Sequence, residues 1–104
     1  MKYTLHTHHI ELTEADSALL DKKLDRLAKH LQPPFTASIG LRRDAHHRSG
    51  EIITCTANIT HGGKTLHAER TANTIQDATD EVVQALLHEL AKEHGKAKDK
   101  HDQY

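Results

Sequence analysis

The chain has 104 residues, enough for one ordinary domain, and is 36% hydrophobic and 28% charged, polar for a globular protein but patterned rather than disordered. With 14 Lys and Arg against 15 Asp and Glu, its formal charge of -1 leaves any binding of polyanions to local fields. A single cysteine excludes an internal disulfide, and three aromatic residues (Tyr3, Phe35, Tyr104) exclude a base-stacking platform of the kind found in many RNA-binding sheets.

The N-terminus MKYTLHTHHI has no apolar signal core, and no run of about 18 apolar residues occurs anywhere. A soluble, cytoplasmic protein with no membrane contact is expected. The 11 histidines add little charge at pH 7, but near pH 6 they turn the balance basic.

Lys2 to Thr7 alternates and predicts a short strand. Thr13 has the character of a helix N-cap, with Asp16 three residues on to complete a capping box. The helix is predicted from about Glu14 to Leu31, with Leu20, Leu24, Leu27 and Leu31 on one face and Pro33-Pro34 as its stop. Phe35 to Arg43 alternates again, with Phe35, Ala37, Ile39 and Leu41 on one side. Asp44 to Gly50 is predicted as a polar loop. Glu51 to Thr60 is a β-branched strand with Ile53, Cys55, Ala57 and Ile59 inward. His61-Gly62-Gly63-Lys64 predicts a tight hairpin, and Thr65 to Thr71 its return strand.

A second helix is predicted from near Thr74, with Ile75, Val82, Val83, Leu86 and Leu90 as its apolar stripe. Gly95 is expected to end or fray it. Residues 1–95 then form the domain, and 96–104 form a flexible charged tail. The order is β-α-β-β-β-α, an α+β fold. The first two strands are expected to pair in parallel and the last three as an antiparallel meander, giving a four-stranded mixed sheet with two helices on one face.

The charges on the first helix are sorted by sign. Taking Leu20 as zero at about 100° per residue, Lys22, Lys23, Arg26, Lys29 and His30 fall in an arc of roughly 180° to 300°. Glu14, Asp21 and Asp25 lie on the opposite flank, near 100–140°. A solvated helix more often mixes the signs through i,i+4 pairs. The arc therefore suits a polyanion, although a Lys-rich face also serves solubility alone. Arg42, Arg43, His46, His47 and Arg48 form a further basic cluster, and Lys92 and Lys96 lie late in the chain. Cys55 is read as a small core residue, not a reactive thiol. His6, His8 and His9 are too few for a structural zinc site, so no metal or cofactor is expected. No nucleophile motif or phosphate-binding glycine loop points to an enzyme.

HHIELTEA before the first helix, KKLDRLAKHL within it, HGGKTLHAE across the last hairpin and NTIQDATDEVVQALLHELAKEHGK along the second helix are together similar to the ribosome hibernation promoting factors, or ribosome-associated translation inhibitors, once described as sigma-54 modulation proteins. The resemblance spans nearly the whole chain and matches the short forms. It implies a fold like a double-stranded RNA-binding domain. It also implies binding to the small ribosomal subunit (16S rRNA) and the 70S ribosome, in the channel of mRNA and the A- and P-site tRNAs, under stress or in stationary phase. No DNA is expected as a partner.

By the same resemblance, the first-helix bases that face rRNA are Lys23, Arg26 and Lys29, and the second-helix positions are Ala85, His88 and Lys92. His30 and His88 beside that surface predict binding that strengthens toward pH 6. The alternatives left open are a generic double-stranded RNA module and a divergent relative acting through a protein partner.

Overall fold

The computed structural model describes the backbone of residues 2–47 and 50–102 and the side chains of residues 2–44 and 52–92. The elements follow the expected order: β1 (Thr4–His8), α1 (Glu14–Ala28), β2 (Phe35–His47), β3 (Gly50–His61), β4 (Lys64–Ala72) and α2 (Ile75–Asp102). They form one sheet in the order β1-β2-β3-β4, with β1 parallel to β2 and the other pairs antiparallel.

Strand alternation sends Ala37, Ile39, Leu41, Ile53, Cys55, Ala57, Ile59, Leu66 and Ala68 to one face, where all are buried. Leu20, Leu24, Leu27 and Leu31 cover that face from α1 and its end, and Ala78, Val82, Val83, Leu86 and Leu90 cover it from α2. The core is aliphatic. Leu27, Ile39, Ala57, Ile59 and Leu86 are fully enclosed, so each contributes the upper part of the ordinary gain from apolar burial.

The opposite face is polar and satisfies itself. Four successive cross-strand pairs of β3 and β4 are bonded side chain to side chain: Thr54–Thr71 (3.3 Å), Thr56–Glu69 (3.1 Å), Asn58–His67 (2.7 Å) and Thr60–Thr65 (3.4 Å). Such pairs stabilise a sheet by tenths of a kcal/mol, about 0.2–1 each.

Both helices begin at the same end of the sheet. α1 follows His8, which registers with Arg42, and Gln32 just beyond α1 donates its backbone N–H to Nδ1 of His61 (3.3 Å) at the far end. α2 follows Ala72, which registers with Ile53, and Thr79 in its second turn lies beside Cys55. The N-termini are capped alike. The Thr13 hydroxyl accepts from Asp16 N–H (3.0 Å) while the Asp16 carboxylate accepts from Thr13 N–H (3.1 Å), and the Thr74 hydroxyl accepts from Asp77 N–H (3.0 Å).

Four boundaries differ from the sequence expectation. First, β1 is displaced to Thr4–His8. Second, α1 ends at Ala28, not Leu31. Pro33 and Pro34 have no N–H for the carbonyls of Lys29 and His30, so the chain tightens through His30 N–H to Leu27 O and Leu31 N–H to Ala28 O, three residues back. Leu31 stays in the core nonetheless.

Third, the predicted loop from Asp44 to Gly50 is mostly strand. Asp44 pairs with Ile52, and β2 runs on through an irregularity to His47 opposite Gly50. Ladder bonds between neighbouring strands override the low strand preference of this polar run. Fourth, α2 passes through Gly95 to Asp102. A helical glycine costs about 1 kcal/mol relative to alanine, which good helix formers such as Lys96, Ala97 and Lys98 offset. The hairpin after β3 is as expected, with Gly62 at φ 55° and Gly63 at φ 77°, both positive as a primed turn requires.

Candidate nucleic-acid interface

Leucine burial fixes how α1 is rotated. With Leu20, Leu24 and Leu27 against the sheet, Lys22 and Arg26 on α1 are left exposed, as are Lys29 and His30 in the turn that ends it, and these four form the α1 crest. Among the described residues, none of these four has an ion-pair partner. The acidic flank of α1 turns the other way, toward β1, where the Tyr3 hydroxyl donates to the Asp21 carboxylate at 2.6 Å. Burial raises the Tyr3 phenol far above its ordinary range, and the hydrogen bond to Asp21 and the charges of Asp21 and Asp25 add to the effect. The phenol stays a donor at any physiological pH.

Lys23 behaves differently from its neighbours. Its ammonium is paired with the Asp80 carboxylate of α2, across the seam between the helices. Only 15% of its side chain is exposed, against 40% for Asp80. The resemblance places Lys23 on rRNA, whereas the structure sets it apart from the exposed crest. In the sequence Asp80 reads only as an early acid suited to the helix dipole. It lies on the flank of α2 that faces α1 and meets Lys23 only once both helices are laid on the sheet.

The α2 positions contribute less. Ala85 is half-buried against the core, His88 is exposed, and Lys92 lies 3.7 Å from Glu89 on its own helix. Arg42 is exposed on the polar sheet face, in register with His8, and so is on the other side of the sheet from the α1 crest. Arg43 alternates to the helix-bearing face and is half-buried there. Arg48 lies outside the described residues, and Lys96 belongs to α2 with its side chain outside them. The expected basic patch is thus not one surface: its described bases lie on the α1 crest, in the helix seam (Lys23), on α2, half-buried on the helix-bearing face (Arg43) and on the far face of the sheet (Arg42).

The rings of His8 and His9 meet edge to face with centroids 4.1 Å apart. Among the described residues, no three His, Cys, Asp or Glu side chains converge as a metal cluster would require, and no helix is long and apolar enough to cross a membrane. Cys55 is buried under α2. Burial pushes its thiol up to about 11, while the adjacent Thr79 hydroxyl, itself without a conventional hydrogen-bond partner, pulls weakly the other way.

A capped α1 with an exposed basic crest, laid on a β-α-β-β-β-α sheet, presents its cations to solvent on a rigid element. The family model described as sigma 54 modulation protein / S30EA ribosomal protein matches residues 3–98. The chain belongs to this family. Its members are ribosome-associated factors that bind the ribosome and regulate translation, and it is not a known enzyme family.

Solved structures agree on the fold. The N-terminal domain of Protein Y from Thermus thermophilus is similar with a TM-score of 0.73 at 18% identity, over 88% of this chain and 98% of that one. A ribosomal subunit interface protein from Coxiella burnetii is similar with a TM-score of 0.73 at 19% identity, over 91% of this chain and 99% of that one. No curated protein sequence matches the chain.

Proposed function

We propose that this protein is a cytoplasmic hibernation factor. It binds the small ribosomal subunit in the channel of mRNA and the A- and P-site tRNAs, with 16S rRNA against the α1 crest, and silences the 70S ribosome under stress or in stationary phase. The observation that carries this reading is the crest itself: Lys22, Arg26 and Lys29 are exposed and have no ion-pair partner among the described residues, on a member of a family of ribosome-associated factors. An exposed base without a protein partner meets a phosphate without first breaking an ion pair. The name of the Coxiella burnetii relative, a ribosomal subunit interface protein, supports the same placement.

The test is co-sedimentation with purified small subunits and 70S ribosomes at two salt concentrations and at pH 6 and 7.5. The reading expects salt-sensitive pelleting that Lys22→Ala/Arg26→Ala/Lys29→Ala abolishes. With His30 and His88 beside the bound phosphates, pelleting is expected to be stronger at pH 6. Plain RNA duplex, added as competitor, should not release the protein. Release by duplex would assign a generic double-stranded RNA module instead. Absence of pelleting under all conditions would direct the search to a protein partner.

A further inference from the structure

Lys23 is the one base of the α1 arc that the structure withholds from solvent. Its position among Lys22, Arg26 and Lys29 in the sequence suggests one more phosphate contact. Its geometry points elsewhere: the ammonium is held by Asp80, and most of the stem is covered in the seam between α1 and α2. Two consequences follow from elementary electrostatics. A cation already paired with a carboxylate gains little from a phosphate unless that pair is broken. A carboxylate at the rim of a basic crest also opposes the approach of a polyanion within a Debye length, about 8–10 Å.

We propose that Asp80 sets the strength of the RNA-binding surface by sequestering Lys23. The wild-type protein then engages phosphates without Lys23, which serves the helix seam. Asp80 is a positioning residue in this sense: it acts through Lys23 and not by touching RNA. The inference rests on the reading of α1 as the RNA-facing helix, and it departs from the expectation that Lys23 contacts rRNA directly. The geometry makes the pair a stored contact. Any change that neutralises Asp80 releases one more cation at the edge of an existing basic surface.

The experiment is a double-mutant cycle of Lys23→Met and Asp80→Asn. Methionine keeps an apolar stem in the seam, and asparagine keeps an oxygen acceptor for Lys23. Each protein is titrated onto small subunits and, separately, onto heparin, from about 0.05 to 0.2 M salt. Thermal unfolding is followed so that all comparisons are made on folded protein. The readout is the slope of log K against log salt, which changes by about 0.7–0.9 per phosphate-type contact.

Asp80→Asn is expected to steepen the slope by about one contact and to tighten binding severalfold at the low-salt end. Lys23→Met alone is expected to leave the slope as in wild type, and Lys23→Met/Asp80→Asn to lose the gain. A purely structural seam would move the unfolding temperature and leave every slope alone, which would overturn the proposal. So would a shallower slope for Lys23→Met, since Lys23 would then already be reaching the polyanion. A gain that persists in the double variant would overturn it too, by assigning the effect to the field of Asp80 itself. The heparin arm reads all of these outcomes even if no variant binds the ribosome, so failure of the functional reading and failure of this inference are told apart.

Discussion

The helices α1 and α2 start at the same end of one sheet, run the same way and bury the same kind of aliphatic stripe, yet their outer sides have little in common. α1 and the turn that ends it expose three bases and a histidine, unpartnered among the described residues. α2 exposes acids early, half-buries Ala85 where the family resemblance expects a base, and pairs Lys92 with Glu89. The buried stripe is held to one composition by close packing, which penalises even small changes of volume. The outer crest answers only to solvent and partners, so two helices in equivalent structural roles are free to diverge there. Among the described residues, the lysines and arginines of the helical layer that lack an ion-pair partner therefore belong to α1 and the turn that ends it.

That comparison can be broken or sharpened experimentally. The largest effect should be the one the helices share. Leu24→Ala in α1 and Leu86→Ala in α2, both enclosed, should each destabilise the fold by about 3–5 kcal/mol in chemical denaturation. A much smaller value for one helix would show that it is docked and not integral. The next effect should divide them. Lys22→Ala/Arg26→Ala/Lys29→Ala should weaken small-subunit binding on the order of 10²–10³-fold at about 0.1 M salt, with unfolding unchanged. His88→Ala/Lys92→Ala, measured alongside, should weaken it by tenfold or less, roughly one contact's worth.

A smaller gain should follow from restoring what α2 lacks. Ala85→Lys should tighten binding severalfold at low salt and steepen the salt slope by about one contact, its stem lying along the half-buried position with the ammonium in water. No gain would mean that α2 faces away from the polyanion. The smallest effect concerns α2 alone, because it covers a titratable group. With its thiol pushed up to about 11, Cys55 favours the folded state while it stays protonated. That contribution is intact below about pH 9 and is lost progressively as the pH rises toward 11, because the unfolded chain gives up the proton first. Urea midpoints of wild type and Cys55→Ala between pH 8 and 11 should therefore converge as the pH rises.

Much of this architecture is legible in the residues. Leu20, Leu24, Leu27 and Leu31 declare a helical face, the alternation from Phe35 to Leu41 declares a strand, and Gly62-Gly63 declares the hairpin, because local periodicity and turn chemistry agree with the fold. The misjudged regions are those where local chemistry yields to long-range contact. Asp44 and His47 continue a strand because β3 lies beside them, and the helix passes Gly95 because one weak position does not outweigh its neighbours. Of the candidate interface, the exposed bases of α1 were legible from the wheel. The fate of Lys23 was not, since it depends on Asp80, which is 57 positions later in the chain and meets it only once both helices are laid on the sheet.

The shared starting end of the helices has a further consequence. Each helix begins with carboxylates, Glu14 and Asp16 on one and Asp77, Asp80 and Glu81 on the other, while Asp21, Asp25 and Glu89 lie further along among the bases. Because the helices run the same way, the positive half-charges of both N-termini meet at one end of the sheet, and the early carboxylates compensate them there. Two like half-charges set side by side would repel, so the acidic first turns help the two helices lie parallel on one sheet.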